Sequence, residues 1–282
     1  MNAFDRRLTP ARDDLAAAHL RGAVASPRFA QGRVMQVRDA ALPLRRTPAP
    51  DGAVDTEALL GESVTVYDEE EGFAWCQLAR DGYVGYLAAD GLGPPGPAPT
   101  HRVSVPRTFV YPGPSIKLPP LMTLSMGVLL HVTGARGEFA LTPQGCVFAA
   151  HLAESGADEP DFVAVAERFL HTPYLWGGRT GIGLDCSGLI QTALAAAGVA
   201  APRDSDMQEK DLGRPLAADA SGLHLRRGDL VFWKGHVGVM RDAEFLLHAN
   251  GHHMMVVSEP LETARARILA AGSGPVTSIR RL

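Results

Sequence analysis

The junction at Cys186 constrains this chain more than any other feature. Residues 174–188 read Tyr-Leu-Trp-Gly-Gly-Arg-Thr-Gly-Ile-Gly-Leu-Asp-Cys-Ser-Gly, a glycine-rich approach that runs directly into Leu189-Ile-Gln-Thr-Ala-Leu-Ala-Ala-Ala. The second part is a strong helix former stopped by Gly198, so a helix begins at Cys186 with Asp185 as its N-cap. Unpaired N–H groups and the positive end of the helix dipole at such a start favour thiolate over thiol. The plainer alternative is a buried cysteine packed as a small hydrophobe.

The rest of the composition narrows the class. With 282 residues, 46% hydrophobic and 21% charged, the chain is long enough for two or three globular domains. A formal charge of -4 with interspersed signs indicates neither a nucleic-acid surface nor a polybasic membrane patch. Cys76, Cys146 and Cys186 lie far apart, which argues against a disulfide framework or a thiolate zinc site and fits a reducing compartment. The run at 118–132 is broken by prolines, Ser125 and Gly127 and is too short for a bilayer. No signal-peptide core or lipid-anchoring cysteine stands near the start, so the expected address is the cytoplasm.

Turn signals divide the chain into four segments. Residues 1–27 read as a docking segment with a short helix over 10–25. Short β-type runs then follow from Phe29 to Leu92, at Gly32, Ser63, Phe73 and Gly82, and predict a small barrel over 28–98. The stretch Gly93-Pro-Pro-Gly-Pro-Ala-Pro reads as a semi-rigid linker. A weaker copy of the barrel is expected over 99–155. From 156 to 282 helices come first, starting at Phe162, and strands follow from Arg227, which indicates an α+β domain.

A cysteine hydrolase needs a base, a group to orient it, and donors for an oxyanion. His236 opens a strand pattern and His248 closes the next, with Arg241 to Ala243 between them. A three-residue hairpin loop would pair Met240 with Glu244 and His236 with His248, placing both imidazoles on one face beside Gly238. A zinc site using His248, His252 and His253 is the weaker reading, because no carboxylate or thiolate stands at ligand spacing.

These residues resemble the NlpC/P60 cell-wall peptidases. The resemblance rests on Thr172-Pro-Tyr-Leu-Trp-Gly-Gly, Asp185-Cys-Ser-Gly, Arg227-Gly-Asp-Leu-Val-Phe-Trp and Gly235-His-Val-Gly-Val, and the preceding barrels resemble bacterial SH3-like domains. It implies a papain-like α+β catalytic domain behind two all-β SH3-like barrels. Cys186 would then be the nucleophile, His236 the base and acid, His248 the orienting residue, and Tyr174 an oxyanion donor. Asp185 and Ser187 resemble positions that bind polar groups of the substrate.

The double-barrel members look similar to γ-D-glutamyl-L-diamino-acid peptidases, which recognise a free N-terminal L-Ala on a murein peptide and release L-Ala-D-Glu. Glu62 and Tyr83 resemble the residues that the first barrel contributes to the amine pocket, and Arg203, Asp204 and Ser205 resemble its closing loop. The bland readings are a solvated Glu62, a barrel aromatic at Tyr83 and a surface pair of Arg203 with Asp204. The resemblance calls for no metal, cofactor or obligatory protein partner. An amidase or acyltransferase on the same scaffold, or a non-catalytic wall-peptide binder, are the rival functions.

Overall fold

A computed structural model of the chain describes residues 4–216 and 224–282. One compact unit runs up to Ser155 and a second from Gly156 to Leu282.

The first unit is built almost wholly from short strands. Strands at 54–59, 41–45, 84–88, 73–78, 63–70, 33–37 and 92–93 lie side by side in that order in a seven-stranded sheet. Alternation along Ser63–Glu70 turns Val64 and Val66 inward, where they meet Leu42, Leu44, Cys76, Leu78 and Leu87. Cys76 sits in this core, and burial pushes its thiol up to about 12, as expected of an inert structural cysteine.

The following residues form a five-stranded and a three-stranded sheet around Val103, Val110, Leu124, Val128, Leu130 and Val147. Leu59 and Leu60 pack into this same cluster, so the two β-rich parts share a core. The proline-rich stretch between them is held by Gln36, whose side chain accepts from the Gly96 N–H, and by Arg38, which donates to the Pro94 carbonyl.

The helix expected over 10–25 is absent. Leu15–Ala17 is a strand that pairs in parallel with Arg28–Ala30, and only a 3-10 turn, Ala18–Leu20, follows. Leu15, Ala16 and Ala17 are all buried, a burial of consecutive residues that a surface helix cannot give. Arg12 fixes the segment to the barrel, stacking over the Trp75 ring at 4.8 Å and pairing with Asp14 and Asp68.

In the second unit, Asp161 caps α1 (Phe162–Glu167) through the N–H groups of Val163 and Ala164. Then come α2 (Cys186–Ala196), α3 (Ser205–Asp211) and an antiparallel sheet of six strands. These are β1 (Arg214–Pro215), β2 (Leu230–Trp233), β3 (His236–Met240), β4 (Phe245–Asn250), β5 (Met255–Pro260) and β6 (Ser278–Arg281), in spatial order β1-β6-β2-β3-β4-β5. Helix α4 (Leu261–Ala270) links β5 towards β6. Helix α2 packs against β3 and β4, which sets the start of the helix and the histidine strands together. Among the described residues no helix is long and apolar enough to cross a membrane.

Candidate active site

Asp185 is the N-cap of α2, and Cys186 is the first helical residue. The turn before it is tight: a Cβ on Gly188 would lie 2.2 Å from the Gly178 carbonyl oxygen, so only glycine fits. Cys186 itself is buried at 7% exposure.

This burial reverses the protonation expected from the helix start. Loss of solvent pushes the Cys186 thiol up to about 12, and the adjacent Asp185 carboxylate adds to the effect. Backbone hydrogen bonds from Val237 and Ser187, and the charge of Arg203, draw it back only in part. Resting Cys186 is therefore a thiol, and its nucleophilicity depends on a base.

The candidate base stands at the start of β3. His236 follows the Lys234-Gly235 turn, and its ring lies 5.7 Å from that of Trp233, its partner across the β2–β3 hairpin. The hairpin between β3 and β4 differs from the expected register by two residues. Met240 faces Leu246, not Glu244, because Asp242 accepts from the Glu244 and Phe245 N–H groups and widens the loop. A shift of two preserves the face on which each side chain lies. His236 and His248 thus become diagonal neighbours, with His236 Nε2 and His248 Nδ1 2.8 Å apart.

His248 has no exposed surface, and its Nε2 lies 2.8 Å from Glu259 Oε1 on β5. Glu259 also pairs with Arg267 of α4. Burial opposes its ionisation, but the hydrogen bond from His248 and the Arg267 charge hold it below the usual carboxylate range. Burial, reinforced by His248 and Arg267, takes His236 down to about 3, and burial likewise lowers His248. Both imidazoles rest neutral, so His236 can receive a proton.

Tyr174, half-buried, lies close enough to Cys186 and Asp185 for their charges to add to the upward shift that burial gives its phenol. Its hydroxyl is therefore a retained donor at neutral pH.

Asp185, Ser187 and Arg203 are hydrogen-bonded to one another. Asp185 Oδ1 accepts from Gly188 N at 2.7 Å, Arg203 Nη1 at 3.0 Å and Ser187 Oγ at 3.2 Å, and Oδ2 accepts from Gly177 N and Arg203 Nη2. Arg203 is 1% exposed and also donates to Ser187 Oγ. Arg203 is buried, not at the surface, and forks onto Asp185. These three side chains hold the turn before Cys186 together. Asp204 flanks the fork and Ser205 opens α3. Gln208 also donates to the Ser187 carbonyl.

In the first unit, Glu62 accepts from Leu59 N and from Arg80, whose guanidinium also forks onto Asp81. Asp81 in turn accepts from the Tyr83 N–H, so a chain of polar contacts links Glu62 to Tyr83. Burial raises Glu62 against the opposing charge of Arg80. Glu62 is not a solvated turn residue, at 8% exposure, and Tyr83 lies in the barrel core. His252 and His253 stack edge to face, and among the described residues no three His, Cys, Asp or Glu side chains are set to hold a metal.

Sequence reasoning does not reach Arg80, Asp81, Gln208 or Glu259. Glu259, just before Pro260, reads as a charge at a strand end. Only the β4–β5 register, with His248 opposite Val257, shows that it shares the histidine face.

The NlpC/P60 family profile matches residues 171–269, which contain every member of the Cys186 cluster. The second unit carries the NlpC/P60 family match. A profile described as the bacterial dipeptidyl-peptidase Sh3 domain matches residues 44–92, ahead of the NlpC/P60 domain. The chain is 28% identical over 208 residues to a gamma-D-glutamyl-L-lysine dipeptidyl-peptidase of Bacillus cereus, covering 64% of this chain and 60% of that protein. It is 29% identical over 225 residues to the protein of the same name from Bacillus subtilis, covering 71% and 73%. The chain thus spans less than two thirds of the first of these relatives. A crystal structure of an NlpC/P60 family protein from Bacillus cereus matches with a TM-score of 0.73 at 22% identity, over 88% of this chain and 99% of that one. The fold is accordingly the α+β NlpC/P60 fold behind an all-β SH3-like region.

Proposed function

We propose that the chain hydrolyses the γ-D-glutamyl–L-diamino-acid bond of murein peptides that carry a free N-terminal L-Ala, releasing L-Ala-D-Glu. The observation that carries this reading is a buried thiol at the start of a helix that packs against the two strands carrying a hydrogen-bonded pair of imidazoles. The Sh3-domain match and the names of the Bacillus relatives support the substrate class.

In this reading His236 takes the Cys186 proton as sulfur attacks the γ-D-Glu carbonyl. The oxyanion is held by the Tyr174 hydroxyl and the Cys186 backbone N–H. His236, now protonated, gives its proton to the leaving amine of the diamino acid, and water then hydrolyses the thioester with His236 again as base. Recognition of the free L-Ala amine is assigned to Glu62, Tyr83, Asp204 and Ser205. An anionic wall facing an ammonium discriminates strongly, since an acylated amine leaves buried polar groups unmatched.

Product analysis with L-Ala-γ-D-Glu-diaminopimelate tests the reaction. The wild type is expected to yield L-Ala-D-Glu and free diaminopimelate, with Cys186→Ala inactive. Unchanged hydrolysis by Cys186→Ala would remove the thiol mechanism. Transfer of the acyl group to an added amine in place of water would assign an acyltransferase.

A further inference from the structure

We infer that Glu259 is a positioning residue of the Cys186 site, fixing through His248 which nitrogen of His236 carries a proton. The inference rests on the reading of Cys186 as nucleophile and His236 as its base, and extends the cluster by one member.

A carboxylate can only accept hydrogen bonds, and Arg267, which pairs with Glu259, keeps it ionised. The His248 nitrogen at 2.8 Å from Glu259 Oε1, Nε2, must therefore carry the proton. A neutral imidazole has one N–H, so His248 Nδ1 is bare. That bare nitrogen lies 2.8 Å from His236 Nε2, which must then be the donor. His236 Nδ1 is left with its lone pair, the state a base for the Cys186 thiol requires.

Reversing one tautomer breaks the sequence. If His248 carried its proton on Nδ1, it would confront the His236 Nε2–H or force the His236 proton onto Nδ1, where it blocks uptake from sulfur. Once His236 is protonated by Cys186, the new charge lies at the head of a line ending in the Glu259 carboxylate. Glu259 therefore both selects the receptive tautomer and opposes the charge that forms.

The packing favours this role over an incidental ion pair. His248 has no exposed surface, and the Glu259 side chain keeps 12%. Asn250 Nδ2, a donor held in place by the His253 N–H on its Oδ1, crowds the same His248 nitrogen at 3.0 Å and cannot accept from it. The proton on Nε2 is therefore set by the Glu259 carboxylate at 2.8 Å.

The direct test is the ¹⁵N spectrum of histidine-labelled full-length wild type at neutral pH. The expected result is a protonated Nε2 and bare Nδ1 on both His236 and His248; a protonated Nδ1 on either would overturn the inference. The second measurement is the rate of Cys186 alkylation by iodoacetamide across pH in wild type, Glu259→Gln and Glu259→Leu. Glu259→Leu should alkylate on the order of 10–100-fold more slowly near neutrality, less than the full loss of a general base because His236 remains. Glu259→Gln, which keeps an acceptor oxygen, should recover part of that loss. Wild-type alkylation rates at every pH in folded Glu259→Leu would refute it. Both readouts are independent of the peptide substrate. Failure to cleave murein peptides with the tautomers as stated would strike the proposed function alone, and cleavage with reversed tautomers would strike Glu259 alone.

Discussion

Gly238 sets the distance between the two imidazoles. It lies opposite His248, and a Cβ there would approach Leu246 Cδ1 to 2.9 Å and His248 Cβ to 3.1 Å. Gly238→Ala should displace His248 and lower kcat with little change in KM, with folding intact by circular dichroism; an unchanged kcat would show that the imidazole pair tolerates the methyl. Protonation gives a second expectation at this scale. His236 is held far below its ordinary 6.5 and Cys186 well above its ordinary 9.0, so thiol and neutral imidazole coexist across a wide range. The acid limb of kcat/KM should therefore fall well below pH 6.5, and a limb at or above that value would contradict the burial of His236.

The element that depends most on polar burial is the start of α2. Removing Arg203 leaves the Asp185 carboxylate buried without its fork, a loss of about 3–5 kcal/mol by analogy with broken buried pairs. Arg203→Met should lower the unfolding midpoint of the second unit in proportion, measured by denaturant titration. A variant as stable as wild type would reduce the fork to an incidental contact. How this turn would be built was only partly legible beforehand. Asp185 reads as a cap because Asp before an apolar helical run has that physical use, whereas its pairing with Arg203 spans eighteen residues and leaves no local trace. The histidine face followed from the period of two and survived a two-residue error in register, which came from the Asp242 side chain reshaping the loop. The N-terminal segment shows the opposite case: alanine-rich helix propensity gave way to a pairing with residues 28–30 that propensity cannot weigh.

At the scale of the whole molecule, buried histidines make stability depend on pH. Unfolded His236 and His248 take up protons below about 6.5, while folded His236 resists doing so until about 3 and folded His248 is shifted in the same direction. The contribution of His236 is fully present above 6.5 and is lost as pH falls towards 3. The thermal midpoint should drop over that interval, and less steeply in His236→Asn than in wild type; parallel curves would contradict the linkage. The proposed substrate choice also belongs to this scale, because the residues to which it is assigned, Glu62 and Tyr83, lie in the first unit and Cys186 in the second. Mass spectrometry of products from free and N-acetylated L-Ala-γ-D-Glu-diaminopimelate reads both parts of the proposal at once. The account predicts release of L-Ala-D-Glu from the free peptide, with the acetylated peptide left intact. Equal cleavage of the two, or cleavage of neither, would contradict it.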